Sequence, residues 1–295
     1  MKKKAMKAEV ELAFDADLGE GPVWDNINEE LYWVDVNAGK LFIYDPESKE
    51  NKEFNICEHV GAVALRENGG LVMALKSGFA FYNLKTETIR YLQNPESNLP
   101  GNRFNDGKCD PSGRFWAGSM SYELKEGEGN LYCLNKNLSP NLKLENLTIS
   151  NGMGWNSDVN RFFFIDTPTQ KIFSFIYDDA SGAISNRKTV CEIDQKNGSP
   201  DGMTIDEENH LWVALYNGGK VIRINPENGE VVFEVELPVP LVTSCTFGGR
   251  NMNELYITTA KQFMTEEELE VAPLSGSLFK VKLPFKGRPA VRFKG

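Results

Sequence analysis

Pro200-Asp201-Gly202-Met203-Thr204-Ile205-Asp206 opens the stretch from which the fold is read. Asp201 sets an oxygen-bearing side chain beside glycine, and five residues on comes Asp206, a residue type that opens polar turns by bonding nearby backbone. Leu211-Trp212-Val213-Ala214 and Val221-Ile222-Arg223-Ile224 follow, then the punctuation Asn225-Pro226-Glu227-Asn228-Gly229, then Val231-Val232-Phe233. Short runs rich in aromatic and β-branched residues, bounded by Gly, Pro, Asn and Asp, read as strands. Residues 200–233 therefore hold one sheet of short strands.

The unit recurs along the chain. Gly19-Glu20-Gly21-Pro22, Phe104-Asn105-Asp106-Gly107 and Ser150-Asn151-Gly152-Met153 repeat its opening. The fifth residue after Glu20, Asn105 and Asn151 is Asp25, Asp110 and Asn156. Hydrophobic strands equivalent to Leu211-Trp212-Val213-Ala214 occur at Leu31-Tyr32-Trp33-Val34, Leu71-Val72-Met73-Ala74, Arg114-Phe115-Trp116-Ala117, Arg161-Phe162-Phe163-Phe164 and Leu255-Tyr256-Ile257-Thr258. A spacing of roughly 40–50 residues is that of propeller blades. Six such units predict an all-β, six-bladed β-propeller, which limits exposed sheet edges by radial repetition.

Without a linker or a shift in composition, residues 1–295 read as one domain, with residues 1–8 frayed. Glu9-Val10-Glu11-Leu12-Ala13-Phe14 alternates as an edge strand that can latch the last blade. Two loops are long: Ser119 to Asn130, with Glu123, Glu126 and Glu128, and Lys261 to Ser275. In the second, Thr265 and Glu268 have capping-box spacing, which predicts a short surface helix with a solvated acidic face.

Bulk properties narrow the chemistry. A formal net charge of −10 argues against a nucleic-acid or anionic-membrane surface, since both need clustered Lys and Arg. No apolar run reaches the ~18 residues of a membrane helix. After Lys2, Lys3 and Lys4, the residues Lys7, Glu9 and Glu11 interrupt the apolar region of a secretory leader, so a cytoplasmic location is expected. Cys57, Cys109, Cys133, Cys191 and Cys245 lack a C-x-x-C and read as small buried hydrophobes in a reducing compartment. With only His59 and His210, both read as structural, a histidine-rich zinc site is excluded by count.

In a propeller the innermost strand of each blade lines the axial channel, and a side chain just ahead of it faces the channel mouth. Glu20, Asn105, Asn151 and Asp201 then converge from blades one, three, four and five, with Val60 and Ser244 near the same place in blades two and six. Asn-Gly and Asp-Gly are common turn dipeptides, but Gly-Glu-Gly-Pro is not one of that type. An all-oxygen set suits one hard divalent cation at one end of the channel, Ca²⁺ foremost, with Mg²⁺, Mn²⁺ and Zn²⁺ open. Three or four protein oxygens leave coordination positions for water or substrate, which points to catalysis.

These stretches, together with Asn102-Arg103-Phe104-Asn105-Asp106-Gly107-Lys108, Tyr216-Asn217-Gly218-Gly219 and Phe247-Gly248-Gly249, resemble the signatures of the regucalcin/gluconolactonase family. That family is also called senescence marker protein and includes luciferin-regenerating enzymes. The resemblance runs from about Glu9 to Lys294. It implies a six-bladed propeller that binds one divalent metal and hydrolyses sugar lactones. By position it implies Glu20, Asn151 and Asp201 as metal ligands, with Asn105 completing or flanking the site. Arg103, Asn105 and Glu123 match substrate-binding residues.

Opening a lactone needs a polarised carbonyl, an activated water and a stabilised oxyanion. The cation suits the first and third, and Asp201 is the choice for general base. Two rivals stay open: a phosphotriester hydrolase, and a non-enzymatic calcium-binding regulator. The expected partner is a small sugar lactone, and the protein is a monomer or a dimer.

Overall fold

The computed structural model describes residues 4–295. Among the described residues six sheets radiate around one axis, five of four strands and one of five, antiparallel except for one parallel outer pair. The inner strand of each is Gly19–Asp25, Val60–Leu65, Asn102–Cys109, Ser150–Trp155, Ser199–Ile205 and Val242–Gly248. Each continues outward through neighbours in sequence, as in Ser199–Ile205, Leu211–Tyr216, Lys220–Ile224 and Val231–Glu236. The predicted propeller is thus the observed fold.

The ring closes through the N-terminus, as expected. Glu9–Leu12 supplies the outermost strand of the sixth blade, pairing Val10 with Phe279. Residues 4–7, expected to fray, instead form a strand, Lys4–Lys7, which lies parallel to Val231–Glu236 on the fifth blade. Residues 1–3 of the expected frayed start lie outside the described residues. Among the described residues no helix is long and apolar enough to cross a membrane. The predicted surface helix is Glu266–Val271, and its capping box is made: Thr265 Oγ1 accepts from Glu268 N at 3.2 Å, and Glu268 Oε2 from Thr265 N at 2.9 Å.

The core lies mainly between blades. Trp212 and Val221 of blade five pack with Cys245 and Leu255 of blade six, and Val34 of blade one with Val63 and Met73 of blade two. Trp33, Trp116 and Trp212, on the second strands of blades one, three and five, are fully buried. At ~25 cal/mol/Å² over roughly 150–250 Å², each contributes about 4–6 kcal/mol before conformational entropy is subtracted.

Two features of the inner strands set up the site. Each strand is interrupted by a β-bulge near its entry end: between Glu20 and Val23, Val60 and Ala62, Phe104 and Asp106, Ser150 and Met153, Pro200 and Met203, and Val242 and Ser244. The Asn-Gly and Asp-Gly motifs therefore lie inside the inner strands, at their bulges, and not in turns ahead of them. The glycines allow blades to touch: a Cβ on Gly152 would sit 2.6 Å from Asp201 O, and one on Gly202 2.1 Å from Ser244 Oγ.

The second register of the repeat is structural. Asp206 Oδ1 accepts from Glu208 N and His210 N, and its Oδ2 from Trp212 Nε1 at 2.9 Å and Arg223 Nε at 2.7 Å. Asp110 likewise holds Arg114 N, Arg114 Nε, Trp116 Nε1 and the Tyr177 hydroxyl. Five strand residues at ~3.4 Å each put these pins ~17 Å from the bulges, toward the far end of the axis.

Candidate active site

The bulges bring acidic and amide side chains to one mouth of the channel. Glu20, Asp106, Asn151 and Asp201 are all buried, from blades one, three, four and five. The three carboxylates share one local geometry, each held by the N–H of the glycine that follows it. Gly21 N donates to Glu20 Oε2 at 2.7 Å, Gly107 N to Asp106 Oδ1 at 2.6 Å, and Gly202 N to Asp201.

Sequence reading placed Asn105, not Asp106, in this register. It counted back five residues from the Asp110 pin, and the bulge in blade three is one residue shorter than those at Gly21-Pro22, Asn151-Gly152 and Asp201-Gly202. The residue just before glycine is the better guide, and in blade three that residue is Asp106. Asn105 is committed elsewhere. Its Oδ1 accepts from Arg103 Nη1 at 2.8 Å, and its Nδ2 donates to Ser150 O at 2.9 Å.

Burial and like charge raise the carboxyls. Glu20 is pushed up to about 8 by burial and by Asp106, against the Gly21 N–H and Arg103. Asp201 rises well above the usual carboxylate range through burial, Glu20 and Asp106, against the Asn151 amide and Gly202 N–H. Asp106 is raised by burial, with Lys108 and the Gly107 N–H opposing.

Asn151 is oriented by a short chain of bonds. Its Nδ2 donates to Thr167 Oγ1 at 2.9 Å, and that hydroxyl donates to Pro200 O at 2.8 Å. The carbonyl oxygen Oδ1 is left buried with no hydrogen-bond partner. Leaving such an oxygen unpaired costs on the order of 1–3 kcal/mol, so it marks a place built for something else. Among the described residues, no three His, Cys, Asp or Glu side chains are gathered as a formed metal cluster. The donor chemistry fits a cation all the same: an orphaned amide oxygen beside two buried carboxyls whose ionised forms are short of positive charge.

Arg103 is the cation that faces them. It is buried, its Nη1 donates to Phe104 O and Asn105 Oδ1, and burial lowers its pKa while Tyr122, Glu20 and Asp201 favour its charge. Tyr122 comes from the long third-blade loop, which spans 122–128 between strands Phe115–Ser121 and Gly129–Leu134. The Tyr122 hydroxyl lies 3.0 Å from His59 Nδ1. His59, read from sequence as structural, is thus a rim residue. His210 stays in its turn, with Nδ1 3.3 Å from Glu208 O. On the opposite rim Tyr216 is pushed up to about 12 by burial and by Asp201. Glu123 faces outward, with its side chain 73% exposed and paired to Lys125 Nζ at 2.8 Å. All the cysteines are free, and Cys57 is exposed where a buried position was expected.

With this geometry in hand, comparison with known proteins is informative. Residues 18–261 match the family described as SMP-30/Gluconolactonase/LRE-like region. The chain is 41% identical over 290 residues to a Bacillus subtilis (strain 168) protein provisionally named sugar lactone lactonase YvrE, covering 98% of this chain and 99% of that one. It is 38% identical to regucalcin of Xenopus laevis over 99% of each chain. Among solved structures it resembles a luciferin-regenerating enzyme with a TM-score of 0.92 and 30% identity, over 98% of this chain and 100% of that one. The chain belongs to the SMP-30/gluconolactonase/LRE-like family.

Proposed function

We propose that this protein is a divalent-metal-dependent hydrolase of sugar lactones, acting at the mouth formed by Glu20, Asp201, Asn151 and Arg103. The observation that carries the reading is the orphaned Asn151 Oδ1 beside two buried carboxyls, Glu20 and Asp201, raised by burial and by neighbouring carboxyls. Membership of a family that includes a provisionally named sugar lactone lactonase supports the substrate class.

Glu20, Asn151 and Asp201 would hold the cation, with Asn105 flanking. Calcium is favoured by the all-oxygen set, and magnesium, manganese or zinc stay open. When bound, such an ion supplies Lewis-acid polarisation of a carbonyl and acidifies water. The chain's own residues do the rest. Asp201, the general base, takes a proton from water once its carboxyl is ionised. Arg103 offers its remaining donors as a planar fork to sugar hydroxyls and to the carboxylate that ring opening creates. Asn105 fixes that fork through its 2.8 Å bond, holding the guanidinium over the mouth. Glu123, from its exposed place, would meet the outermost hydroxyls of a bound sugar. We place the protein in the cytoplasm, the reducing compartment that its free cysteines suit.

The test is hydrolysis of gluconolactone by purified protein, before and after chelation, with a panel of divalent ions restored. Activity should vanish on chelation and return with metal. Full activity with metal removed, or no turnover of any sugar lactone by metal-loaded protein, overturns the reading. A second measurement addresses Arg103: Arg103→Ala should raise KM for a polyhydroxy lactone more than it changes metal affinity, since a guanidinium has no lone pair to give a metal. Collapse of metal binding with KM unchanged would make Arg103 structural.

A further inference from the structure

The third-blade loop carries a cluster of which the lactone chemistry uses only Arg103. Tyr122 stands at its centre. The Lys76 ammonium lies 5.9 Å from its ring centroid, the Arg103 guanidinium carbon 6.0 Å, and the His59 ring packs edge-on at 5.3 Å. Three elements supply these residues: Lys76 follows the second strand of blade two, Leu71–Leu75, His59 precedes Val60–Leu65, and Arg103 lies in Asn102–Cys109.

Two cations meet at this ring: Arg103, which faces Glu20 and Asp201 across the mouth, and Lys76, which has no carboxylate in ion-pair contact among the described residues. Among the described residues neither Lys76 nor Arg103 is in an ion pair, whereas other basic residues on the blades are, such as Lys40 with Glu53 and Lys280 with Glu254. Glu58, the carboxylate next to His59, is spent on Ser77 N and Oγ and on the Tyr91 hydroxyl. Burial first, and then Arg103 and Lys76, lower the His59 pKa against Asp35 and Glu58, which favours the neutral imidazole as the hydrogen-bond partner of Tyr122. On a chain of net charge −10, a lysine with no ion pair among the described residues, set beside that buried arginine at one aromatic ring, needs a reason.

We propose that Lys76, Arg103 and Tyr122 form an anion subsite on the channel rim, so that the preferred lactone carries a phosphate ester or a free carboxylate remote from its ring ester. The proposal rests on the lactonase reading and narrows its substrate. Arg103 reaches the sugar, as above. Lys76, exposed and on a long side chain, reaches the anion from its place by the Tyr122 ring, which offers an apolar face to the sugar carbons. The Tyr122 hydroxyl, set by His59 at 3.0 Å, fixes where that face lies.

The experiment compares kcat/KM for three lactones of one ring size: a neutral aldonolactone, its phosphate ester, and an aldarolactone with a free carboxylate. Each is measured on wild type and on Lys76→Gln, which alters an exposed side chain and should leave folding intact. In parallel, the phosphorylated sugar acid and its neutral parent are titrated into both proteins by calorimetry. We expect wild type to favour at least one anionic lactone about tenfold or more, the size of one charge-assisted contact. Lys76→Gln should cut that ratio by a similar factor, chiefly through KM. Raising ionic strength from about 0.05 to 0.5 M should erode it too. Preference for the phosphate ester alone or the carboxylate alone identifies the group. Equal rates on all three lactones remove the subsite and leave the lactonase reading standing. Charge-selective binding that depends on Lys76, with no lactone turned over, keeps the subsite and removes the lactonase reading. A ratio unchanged in Lys76→Gln overturns the proposal outright.

Discussion

Glu20 is a carboxyl taken out of water, with Arg103 the cation that offsets the cost and Asp106 adding to it. Its position near 8 has a consequence for stability. In an unfolded chain Glu titrates near ~4.3, so between that pH and about 8 the folded protein holds the extra proton. Stability from this group is full below the unfolded pKa and is lost as pH rises through the folded one. Asp106 and Asp201, both raised, act in the same direction. The melting temperature of metal-free protein should therefore fall from pH 5 to pH 8, and fall less steeply in Glu20→Gln. A flat or rising profile in metal-free wild type would contradict the assigned burial. Catalysis separates Glu20 from Asp201. Glu20→Gln should recover activity at saturating metal, whereas Asp201→Asn should stay depressed in kcat by something like the 10²–10⁴-fold of a lost general base. Recovery of Asp201→Asn to near the wild-type kcat would leave it a ligand alone. Glu20, Asn151 and Asp201 were legible because each precedes glycine at a fixed distance from a turn-forming Asp or Asn. Asp106 was not, because a bulge one residue shorter breaks that count. Tyr122 and His59 were not, because nothing in the sequence says that residues 63 apart share a hydrogen bond.

On one strand, Ser199–Ile205 and the residue after it, the two registers divide the labour. Asp201 sits at the mouth, and Asp206 is buried at the far end with four donors on its carboxylate. Its partner Arg223 is also buried, stacked 3.9 Å from the Phe285 ring centroid and paired to Asp206 at 2.7 Å. Breaking a buried pair by removing one member costs about 3–5 kcal/mol. Asp206→Ala should thus lower the melting temperature by many degrees while the folded fraction keeps its kcat. Asp201→Asn should do the reverse. If Asp206→Ala lost activity with stability intact, this end of the strand would belong to the site. The strands themselves were readable from their aromatic and β-branched runs. The bulges were not, because Asn-Gly and Asp-Gly are as common in turns as at places where a neighbouring blade comes within van der Waals contact. Sequence alone does not show Asp201 O at 2.6 Å from a Cβ on Gly152.

Across the whole molecule, a ring of six blades has one seam, and the N-terminal segment lies over it. Glu9–Leu12 completes the sixth blade against Leu278–Lys282, while Lys4–Lys7 runs parallel to the outer strand of the fifth. A segment that pairs with two consecutive blades straps them together, and Glu11 adds ionic ties to Lys49 at 2.7 Å on blade one and to Lys280 at 3.3 Å on blade six. The alternation from Glu9 to Phe14 predicted the first contact. The second was hidden because Lys4-Ala5-Met6-Lys7 has no apolar pattern, its residues being exposed and its backbone paired parallel to Val231–Glu236. Deleting residues 1–12 should then do more than remove two exposed strands. It bares the edge of Leu278–Lys282, whose Leu278 and Phe279 are fully buried, and an unpaired hydrophobic edge invites association with another chain. Blades one and six also bring Glu20 and its neighbours into register, so loosening the seam should weaken metal binding without touching a ligand. The expected result is a lower melting temperature, concentration-dependent association in sedimentation, and reduced metal affinity, all in one variant. A deletion that left metal affinity at wild-type level while stability fell would show that the mouth is held by blades three to five alone.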